Sequence, residues 1–576
     1  MTVAAPEVGI VEFGPPTRNW WGRPVVASLV VLAVYAVLAA SFDGRGHLGG
    51  DTASKIAVLD AVDSGDRPQF DIGYWAAAED SEARYHPLYY TTVVDGRYQQ
   101  LTTLPMTWLA RPLYDIGGSR LVLVLPMLGA LLTAFGVRAL AVRLGTLDPW
   151  PAFWLAALAS PVAVYALDFW EHTLGLAGIV WGVVVLVDIV DHRRRAGIGG
   201  MWSGLAFGAA ATMRTEAVAY AAVAVATFAA VAVIERRDWS RSARMGAGAV
   251  AGIAGVLVLN EWFERVVLGA SLRTARTVDA VGGVGGRFSD RVEGAWVSTI
   301  GLNYANVVLD RVLGLVLLVG LVAATVGAAR GHAGTARIGV AAAAAAFAVR
   351  LASGLSFIPG LVPVFPIVVV GAVVGATRRS KGSTGSTGST RSTRSTRAVA
   401  IVALVTIPLV WATQYAGMPG AQWGARYLFG SGALLLAVAV SHRDRFVRAA
   451  RVALVVISIA VTASGVLYLR ARTHEIGRTI DSVEAIDDDV VVIARVAFFW
   501  RELGAVHDAE QLHLTVVDAD GLAAAARIAA GRRADEIAII QEVAERRPHL
   551  AGYRVVGTST LPWVGRDLVV VRYESD

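Results

Sequence analysis

The sequence predicts an α-helical, multi-pass membrane protein with a small α/β domain at its C-terminal end. Of its 576 residues, 55% are hydrophobic and only 17% are charged. Apolar runs of about twenty residues recur along the chain, and each is long enough to cross a hydrocarbon core of ~30 Å. A soluble protein has no use for so many. After residue 469 this pattern ends and shorter alternating segments follow.

Hydropathy predicts about thirteen membrane spans. Their approximate bounds are 24–41, 121–137, 150–167, 173–190, 199–213, 217–234, 246–260, 312–328, 338–352, 360–376, 398–412, 427–441 and 452–469. Arginines gather in every second turn between these spans. Because positive charge in short loops marks the cytoplasmic side, this alternation sets the orientation in the plasma membrane.

That orientation defines the domain organisation. The segments are a cytoplasmic tail (1–23), a transmembrane domain (24–469) that includes two outer loops (42–120 and 261–311) and a flexible cytoplasmic loop (377–397), and an extracytoplasmic α/β domain (470–576). The N-terminal tail is too long and too acidic for a signal peptide, so we expect the first span to remain as an anchor. For the last domain we expect a supporting or acceptor-binding role.

The charge and cysteine content exclude several classes of function. The net charge of +6 comes from arginines in short turns, where anionic lipid headgroups attract them. We therefore expect membrane lipids, and no nucleic acid, as partners. The absence of cysteine excludes disulfides and thiolate metal sites.

The long outer loop, residues 42–120, contains the first candidate for chemistry. Asp51 follows Gly49-Gly50 and begins a helical pattern with apolar residues on one side and Lys55 elsewhere. One interpretation makes Asp51 the N-cap of that helix, a role worth about 1 kcal/mol. The other makes it a catalytic base, and both can hold together.

Two further features of this loop carry predictions. His86 could bind a sugar hydroxyl or a metal, although a lone histidine among aromatic residues is more often a hydrogen-bonded structural residue. Asp95-Gly96 lies between two β-type segments and predicts a two-residue hairpin turn.

Charged and aromatic residues also collect at the outer ends of the later spans. They are Glu171, His172, Arg214, Arg426 and Tyr427. A charge at the centre of a span costs around 2.5–3.5 kcal/mol, so the charges that persist there usually line a site or pair with each other. Each of these residues could instead extend to the lipid headgroups. Their presence on the face that holds the long loop favours a shared site.

The second outer loop carries arginines on the side where positive charge is not expected. Arg273 and Arg276 are either balanced by acids nearby in the loop or bind a lipid-linked phosphate, which guanidinium grips in a bidentate manner. The glycines at 282–286 suggest a mobile segment that could close over a headgroup.

Several short patches, together with the layout, resemble one family. The patches are GGDTASK at 49–55, VVDGRYQQLTTLPMTWLARPLYDIGG at 93–118, FWEHTLGL at 169–176, MRTEA at 213–217 and WGARYL at 423–428. The chain resembles the type-C (GT-C) membrane glycosyltransferases, such as polyprenyl-phosphate-mannose-dependent mannosyltransferases and actinobacterial arabinofuranosyltransferases. The family's first loop often carries paired acids, whereas here Thr52 follows Asp51. Asp43 is therefore a second candidate for the base.

The resemblance implies sugar transfer from a polyprenyl-phosphate donor to a glycan, lipid or protein acceptor of the cell envelope. An aspartate would take the acceptor proton and arginines would hold the lipid phosphate. No cofactor is required, and nothing in the sequence supports a divalent metal. The alternatives are a lipid or glycan transporter or flippase, and a polysaccharide polymerase or ligase. A transporter predicts internal repeats and charges near the membrane midplane, neither of which we find.

Overall fold

The computed structural model describes residues 23–63, 70–272, 288–304, 306–377, 387–414, 422–445, 448–504, 512–517, 519–563 and 566–576. The helices up to residue 268 are α1 (Pro24–Ala40), α2 (Gly50–Asp63), α3 (Leu104–Leu121), α4 (Val124–Arg143), α5 (Trp150–Leu158), α6 (Pro161–Tyr165), α7 (His172–Val190), α8 (Ala196–Met213), α9 (Ala217–Arg236) and α10 (Trp239–Leu268).

The later helices are α11 (Phe288–Ile300), α12 (Val307–Ala329), α13 (Ala333–Ala352), α14 (Leu361–Val364), α15 (Ile367–Thr377), α16 (Thr387–Gln414), α17 (Phe429–Ser441), α18 (Arg448–Glu484), α19 (Phe499–Leu503) and α20 (Ala519–Gly531). Short 3₁₀ turns precede α17 and follow it, at Arg426–Leu428 and Arg443–Arg445.

The architecture is α-helical and multi-pass with a C-terminal α/β domain, as predicted. Among the described residues, eight helices are long and apolar enough to cross a membrane, namely α4, α7, α9, α10, α12, α13, α16 and α18. The remaining predicted spans coincide with helices that are shorter, broken or less apolar.

Proline breaks two of the predicted spans. The span expected at 150–167 divides into α5 and α6 at Ser160-Pro161, where the Ser160 hydroxyl accepts a bond from the Val162 N–H. The span expected at 360–376 divides into α14 and α15 at Phe365-Pro366. Proline has no N–H to donate and disfavours helical backbone in the residue before it, so each apolar run is interrupted.

Small residues let α8 and α10 pack closely. A methyl group at Gly204 would stand 2.2 Å from the Ala249 carbonyl oxygen, and one at Gly252 would stand 2.5 Å from that of Met201. Small residues four apart allow helix backbones to approach in this way within membranes. The resulting pair fixes the end of α8, where Arg214 lies.

The predicted cytoplasmic loop is partly helical. Residues 378–386 lie outside the described residues, but 387–397 form the first turns of α16 rather than a flexible linker. Ser395 and Thr396 are buried, and the Ser395 hydroxyl donates to Asp191 at 3.3 Å. This packing holds the end of the repeat in the helix.

The outer loop folds over the membrane helices. Strands β1 (Thr91–Val94) and β2 (Arg97–Gln100) form the predicted hairpin, with Asp95 and Gly96 both at positive φ. Lys55 does not lie on a polar face as expected. It is 1% exposed, because the side of α2 that carries it faces Glu171.

The C-terminal domain is a five-stranded sheet in the order β4-β3-β5-β7-β6. Its strands are β3 (Val490–Ala494), β4 (Leu512–Val516), β5 (Glu536–Glu542), β6 (Tyr553–Trp563) and β7 (Arg566–Ser575). Strand β3 runs parallel to β4 and β5, while β7 runs antiparallel to β5 and β6.

Two connections attach this domain to the rest of the chain. Helix α18 continues without interruption from the membrane region to Glu484, although we expected a boundary at residue 470. The outer loop also packs on the sheet edge, where the N–H of Thr515 in β4 donates to the Tyr85 carbonyl at 2.9 Å. The outer loop and the C-terminal domain therefore form one packed layer.

Candidate active site

Asp51 lies where the outer loop, the membrane helices and the C-terminal domain meet. Helix α2 begins at Gly50, so Asp51 stands in its first turn rather than as its N-cap. The Asp51 carboxylate pairs with Arg426 (Oδ2 to Nη1, 3.3 Å) and with Arg501 (Oδ1 to Nη2, 3.1 Å). Its side chain is 40% exposed, so the carboxylate is open to a ligand.

The positive charges around Asp51 determine its protonation. Burial works to raise the pKa of this carboxyl, but the guanidinium groups of Arg501 and Arg426 outweigh it. Lys55 and Arg214 act in the same direction. The pKa of Asp51 therefore lies well below its usual range, and the group is ionised at neutral pH.

A tight turn and aromatic faces hold Arg426. Gly424 and Ala425 both adopt positive φ and direct the chain into the 3₁₀ turn that Arg426 begins. The Arg426 guanidinium lies 4.7 Å from the Trp170 ring centroid and 5.0 Å from that of Tyr427. Cation–π contacts of this kind restrain an arginine without neutralising its charge.

A second, buried cluster lies next to the first and contains two acids and two bases. The Glu171 carboxylate binds Lys55 Nζ at 2.9 Å and Arg214 Nη1 at 3.2 Å, and Arg214 Nε binds Glu216 at 3.0 Å. The Arg214 guanidinium also lies 5.0 Å from the Tyr427 ring centroid, so Tyr427 stands between Arg214 and Arg426.

Three of the four members of this cluster lie beside a helix end, while Lys55 lies within α2. Glu171 precedes α7, while Arg214 and Glu216 lie between α8 and α9. Asp168 extends the arrangement, because it accepts from the Leu48 N–H at 3.0 Å and the Thr52 hydroxyl at 2.7 Å. These bonds fix the start of α2, and with it Asp51, against the membrane helices.

The C-terminal domain supplies a residue that the sequence did not single out. Arg501 lies in α19, the short helix that follows β3, and its side chain is 7% exposed. Its neighbour Glu502 pairs with Arg472 of α18 at 3.2 Å. Ligand sites often lie beyond the carboxyl ends of parallel strands, and that position is the signal that could have identified Arg501.

His86 and Asp43 lie in local networks of their own. The His86 ring contacts the Gly73 carbonyl through Nε2 at 3.0 Å and accepts from the Leu88 N–H through Nδ1 at 3.0 Å. Burial lowers its pKa to about 4, so it is neutral at pH 7. This is the hydrogen-bonded structural role that we considered the more common one.

Asp43 pairs with Arg45 at 3.2 Å. It packs so closely on α18 that a methyl group at Gly477 would stand 2.0 Å from its Oδ2. Among the described residues the structure gives Asp43 no contact with Arg426 or Arg501.

His172 is packed rather than bonded. Its ring stacks on Tyr165 with centroids 4.9 Å apart and lies 4.6 Å from Trp170, and neither ring nitrogen has a hydrogen-bond partner in the described part of the chain. It therefore supports Trp170, on which Arg426 rests. Arg273 and Arg276 lie outside the described residues.

The structure thus brings Asp51, Arg426 and Tyr427 together, with Arg214 and Glu171 behind them. It leaves His86 and Asp43 apart from this group. Within the described residues, no group of three or more His, Asp or Glu side chains is arranged to hold a metal ion.

No protein-family model matches the chain, and neither does any curated protein. Several solved structures are similar to it, among them the following three. The oligosaccharyltransferase of Archaeoglobus fulgidus in the apo form has a TM-score of 0.47 and 13% identity over 90% of this chain and 70% of that chain. ArnT from Cupriavidus metallidurans bound to undecaprenyl phosphate has a TM-score of 0.42 and 13% identity over 96% of this chain and 98% of that chain.

The third is the archaeal oligosaccharyltransferase AglB from Archaeoglobus fulgidus in complex with an inhibitory peptide and a dolichol-phosphate. Its TM-score is 0.43, with 12% identity over 90% of this chain and 70% of that chain. At these TM-scores the likeness carries no argument about the reaction.

Proposed function

We propose that the protein is a membrane glycosyltransferase that moves a sugar from a polyprenyl-phosphate donor to an acceptor on the outer face of the plasma membrane. One observation carries the proposal. The partly exposed Asp51 carboxylate lies between Arg426 and Arg501, beside the ends of the membrane helices. The candidate base is therefore in direct contact with the two arginines that could bind an anion.

The arginines suit a lipid phosphate as the leaving group. Two guanidinium groups meet one carboxylate at the exposed side of the site. When the glycosidic bond breaks, the polyprenyl phosphate gains negative charge, so arginines that stay in place favour the transition state over the ground state. Arg273 and Arg276 remain proposed contributors to the same phosphate.

Donor binding would also activate the base. In the donor-free site the arginines lower the pKa of Asp51 and with it the basicity of the carboxylate. A donor phosphate that engages Arg426 competes with Asp51 for its charge. The carboxylate then becomes the stronger acceptor for the proton of the incoming hydroxyl, at the moment when the sugar is in position.

The buried cluster would hold the catalytic groups in place. Lys55, Glu171, Arg214 and Glu216 pair with one another, and the Asp168 bonds fix the start of α2. Catalytic groups work best when their neighbours restrict them to one geometry. Glu171, Arg214 and Glu216 lie beside helix ends, away from the middle of the spans, which favours an enzyme over a transporter.

The finer assignment follows the family resemblance. We propose mannose or arabinofuranose as the transferred sugar and a cell-envelope glycan, lipid or protein as the acceptor. The N-terminal tail would then be cytoplasmic and the C-terminal domain extracytoplasmic. These assignments have the sequence patches and the arginine-rich turns as their support.

Replacement of Asp51 by asparagine tests the proposal. Asp51→Asn keeps the shape of the side chain and removes the charge, so transfer should fall by roughly 10²–10⁴-fold while the protein stays folded. Transfer is measured in proteoliposomes from polyprenyl-phosphate mannose and polyprenyl-phosphate arabinose to octyl glycosides. Asp43→Asn is the matched control and should keep its activity. The reverse result would make Asp43 the base, and activity in both variants would contradict the proposed function.

A further inference from the structure

Three aromatic side chains lie beside the candidate base and take no part in the mechanism above. Tyr89 and Tyr90 come from the outer loop, and Phe498 comes from the C-terminal domain. The ring centroids are 4.4 Å apart for Tyr89 and Tyr90, 5.2 Å for Tyr89 and Phe498, and 6.0 Å for Tyr90 and Phe498. Tyr90 is 41% exposed and Phe498 is 43% exposed. We call these residues the aromatic cluster.

The backbone at this cluster is strained and held in place. Tyr90 has a φ of 71°, a conformation that is unfavourable for a bulky residue. The Gln100 side-chain amide donates to the carbonyls of Leu88 and Tyr89, and the Leu101 N–H donates to that of Tyr90. Strain of this kind persists where surrounding bonds enforce it, and it concentrates at ligand sites.

Arg501 connects the aromatic cluster to the base. Its guanidinium lies 5.3 Å from the Tyr90 ring centroid and 3.1 Å from the Asp51 carboxylate. Phe498 immediately precedes α19, the helix that carries Arg501. A molecule that rests on the aromatic cluster would therefore have its polar edge beside Asp51.

We infer that the aromatic cluster binds a sugar ring of the acceptor, an inference that rests on the proposed function. A sugar ring has a face of C–H groups and an edge of hydroxyls. Aromatic rings can pack against that face, while the tyrosine hydroxyls and the charges of Arg501 and Asp51 offer hydrogen bonds to the edge. The mixture of exposed rings and charged groups fits a sugar better than a lipid tail, which needs apolar surroundings.

The location of the aromatic cluster also assigns a role to the C-terminal domain. Because Phe498 and Arg501 belong to that domain and Asp51 to the outer loop, the acceptor would lie between the two. The donor phosphate, in contrast, would contact Arg426 next to the membrane helices. The two substrates would thus approach Asp51 from opposite sides.

Saturation-transfer NMR on the full chain in lipid nanodiscs tests this inference without any need for turnover. The probes are methyl α-mannopyranoside and methyl α-arabinofuranoside. Phe498→Ala should weaken the binding of at least one glycoside roughly 3- to 10-fold, and Phe498→Trp should keep it. Trp108→Ala is the matched control, because Trp108 is also an exposed aromatic residue of the outer loop (50% exposed) and packs on Phe263.

The outcomes separate this inference from the proposed function. Equal glycoside signals in wild type and Phe498→Ala, no signal in the wild type, or an equal loss in Trp108→Ala would each overturn the acceptor site. Binding of decaprenyl phosphate, measured on the same samples, should be unchanged in Phe498→Ala. If the wild type does not bind decaprenyl phosphate at all, the proposed function fails, whatever the glycosides show. Because Phe498 is exposed, its replacement leaves the core intact, and thermal unfolding of each variant checks this.

Discussion

The two charged clusters at this face have similar residues but different surroundings. In the buried cluster, two acids and two bases neutralise one another, and the side chains of Lys55, Glu171, Arg214 and Glu216 are 2%, 3%, 9% and 5% exposed. At the other site one acid meets two bases, and its carboxylate is 40% exposed. The first arrangement is closed to a ligand, whereas the second is accessible to one.

This difference shows why a list of charged residues near span ends does not identify a site. A buried, balanced network is strongly destabilised when one partner is removed, since the other charge is left without compensation. An exposed pair contributes little to stability and can exchange its partner for a substrate. Four experiments can break or sharpen the contrast.

The largest effect should come from the buried cluster. Glu171→Gln leaves Lys55 and Arg214 without their shared carboxylate, so the free energy of unfolding should fall by about 3–5 kcal/mol. Thermal unfolding in detergent measures the change. The double variant Lys55→Met/Glu171→Gln restores the balance of charge and should recover part of the loss. A stable Glu171→Gln protein that no longer binds donor would place the buried cluster in the site itself.

The second effect concerns the donor. Arg426→Gln should weaken decaprenyl phosphate binding by about 1.5–3 kcal/mol, the worth of a charge-assisted hydrogen bond, which is roughly 10- to 150-fold. Equilibrium binding in nanodiscs gives the affinity. The control is Arg265→Gln, because Arg265 is an exposed arginine in the last turn of α10 that pairs with Glu261 of the same helix. Equal losses in both variants would mean that Arg426 only attracts anions through its charge and does not bind the donor phosphate specifically.

The third effect is a shift along the pH axis. A base must be unprotonated, so transfer declines as the pH falls through the pKa of Asp51. Arg501 is the strongest of the positive charges that lower this pKa, so Arg501→Gln should move the acid limb of the rate profile to higher pH. Arg554→Gln, in an exposed pair of the same domain with Glu574, should leave the profile unchanged. If the acid limb of the rate profile does not move in Arg501→Gln, Asp51 is not the group whose protonation lowers the rate.

The fourth experiment tests which side of the membrane holds both clusters. The chain has no cysteine, so single cysteines can be introduced at exposed serines and labelled with an impermeant reagent on intact cells. Ser559→Cys in the C-terminal domain should be labelled, whereas Ser240→Cys at the start of α10 should react only after lysis. Labelling of Ser240→Cys from outside would reverse the orientation and place the site in the cytoplasm.

The sequence was informative where the signal is local. Hydropathy located the long spans, and Asp95-Gly96 predicted the hairpin. The collection of charged residues on one face indicated a shared site, and in the structure Asp51 and Arg426, 375 residues apart, pair at 3.3 Å. The breaks at Pro161 and Pro366 are local as well, but a hydropathy window that averages over a whole span conceals them.

What the sequence did not reveal depends on tertiary packing. Helical periodicity gave no sign that Lys55 is buried, because its partner Glu171 belongs to a distant segment. Strand β5 has only a short apolar run in the sequence, although it is the centre of the sheet. Arg501 has no distinguishing neighbours in the sequence, and only the docking of the C-terminal domain on the outer loop brings it to Asp51.

The unbroken helix α18 makes the molecule sensitive to helical phase. Its 37 residues span about 55 Å, so it leaves a hydrocarbon core of ~30 Å with several turns to spare. A single residue inserted into those turns would rotate everything beyond it by about 100°, whereas four residues would rotate it by only about 40° beyond a full turn. The number of residues in this part of α18, rather than their identity, therefore decides whether Arg501 and Phe498 face Asp51.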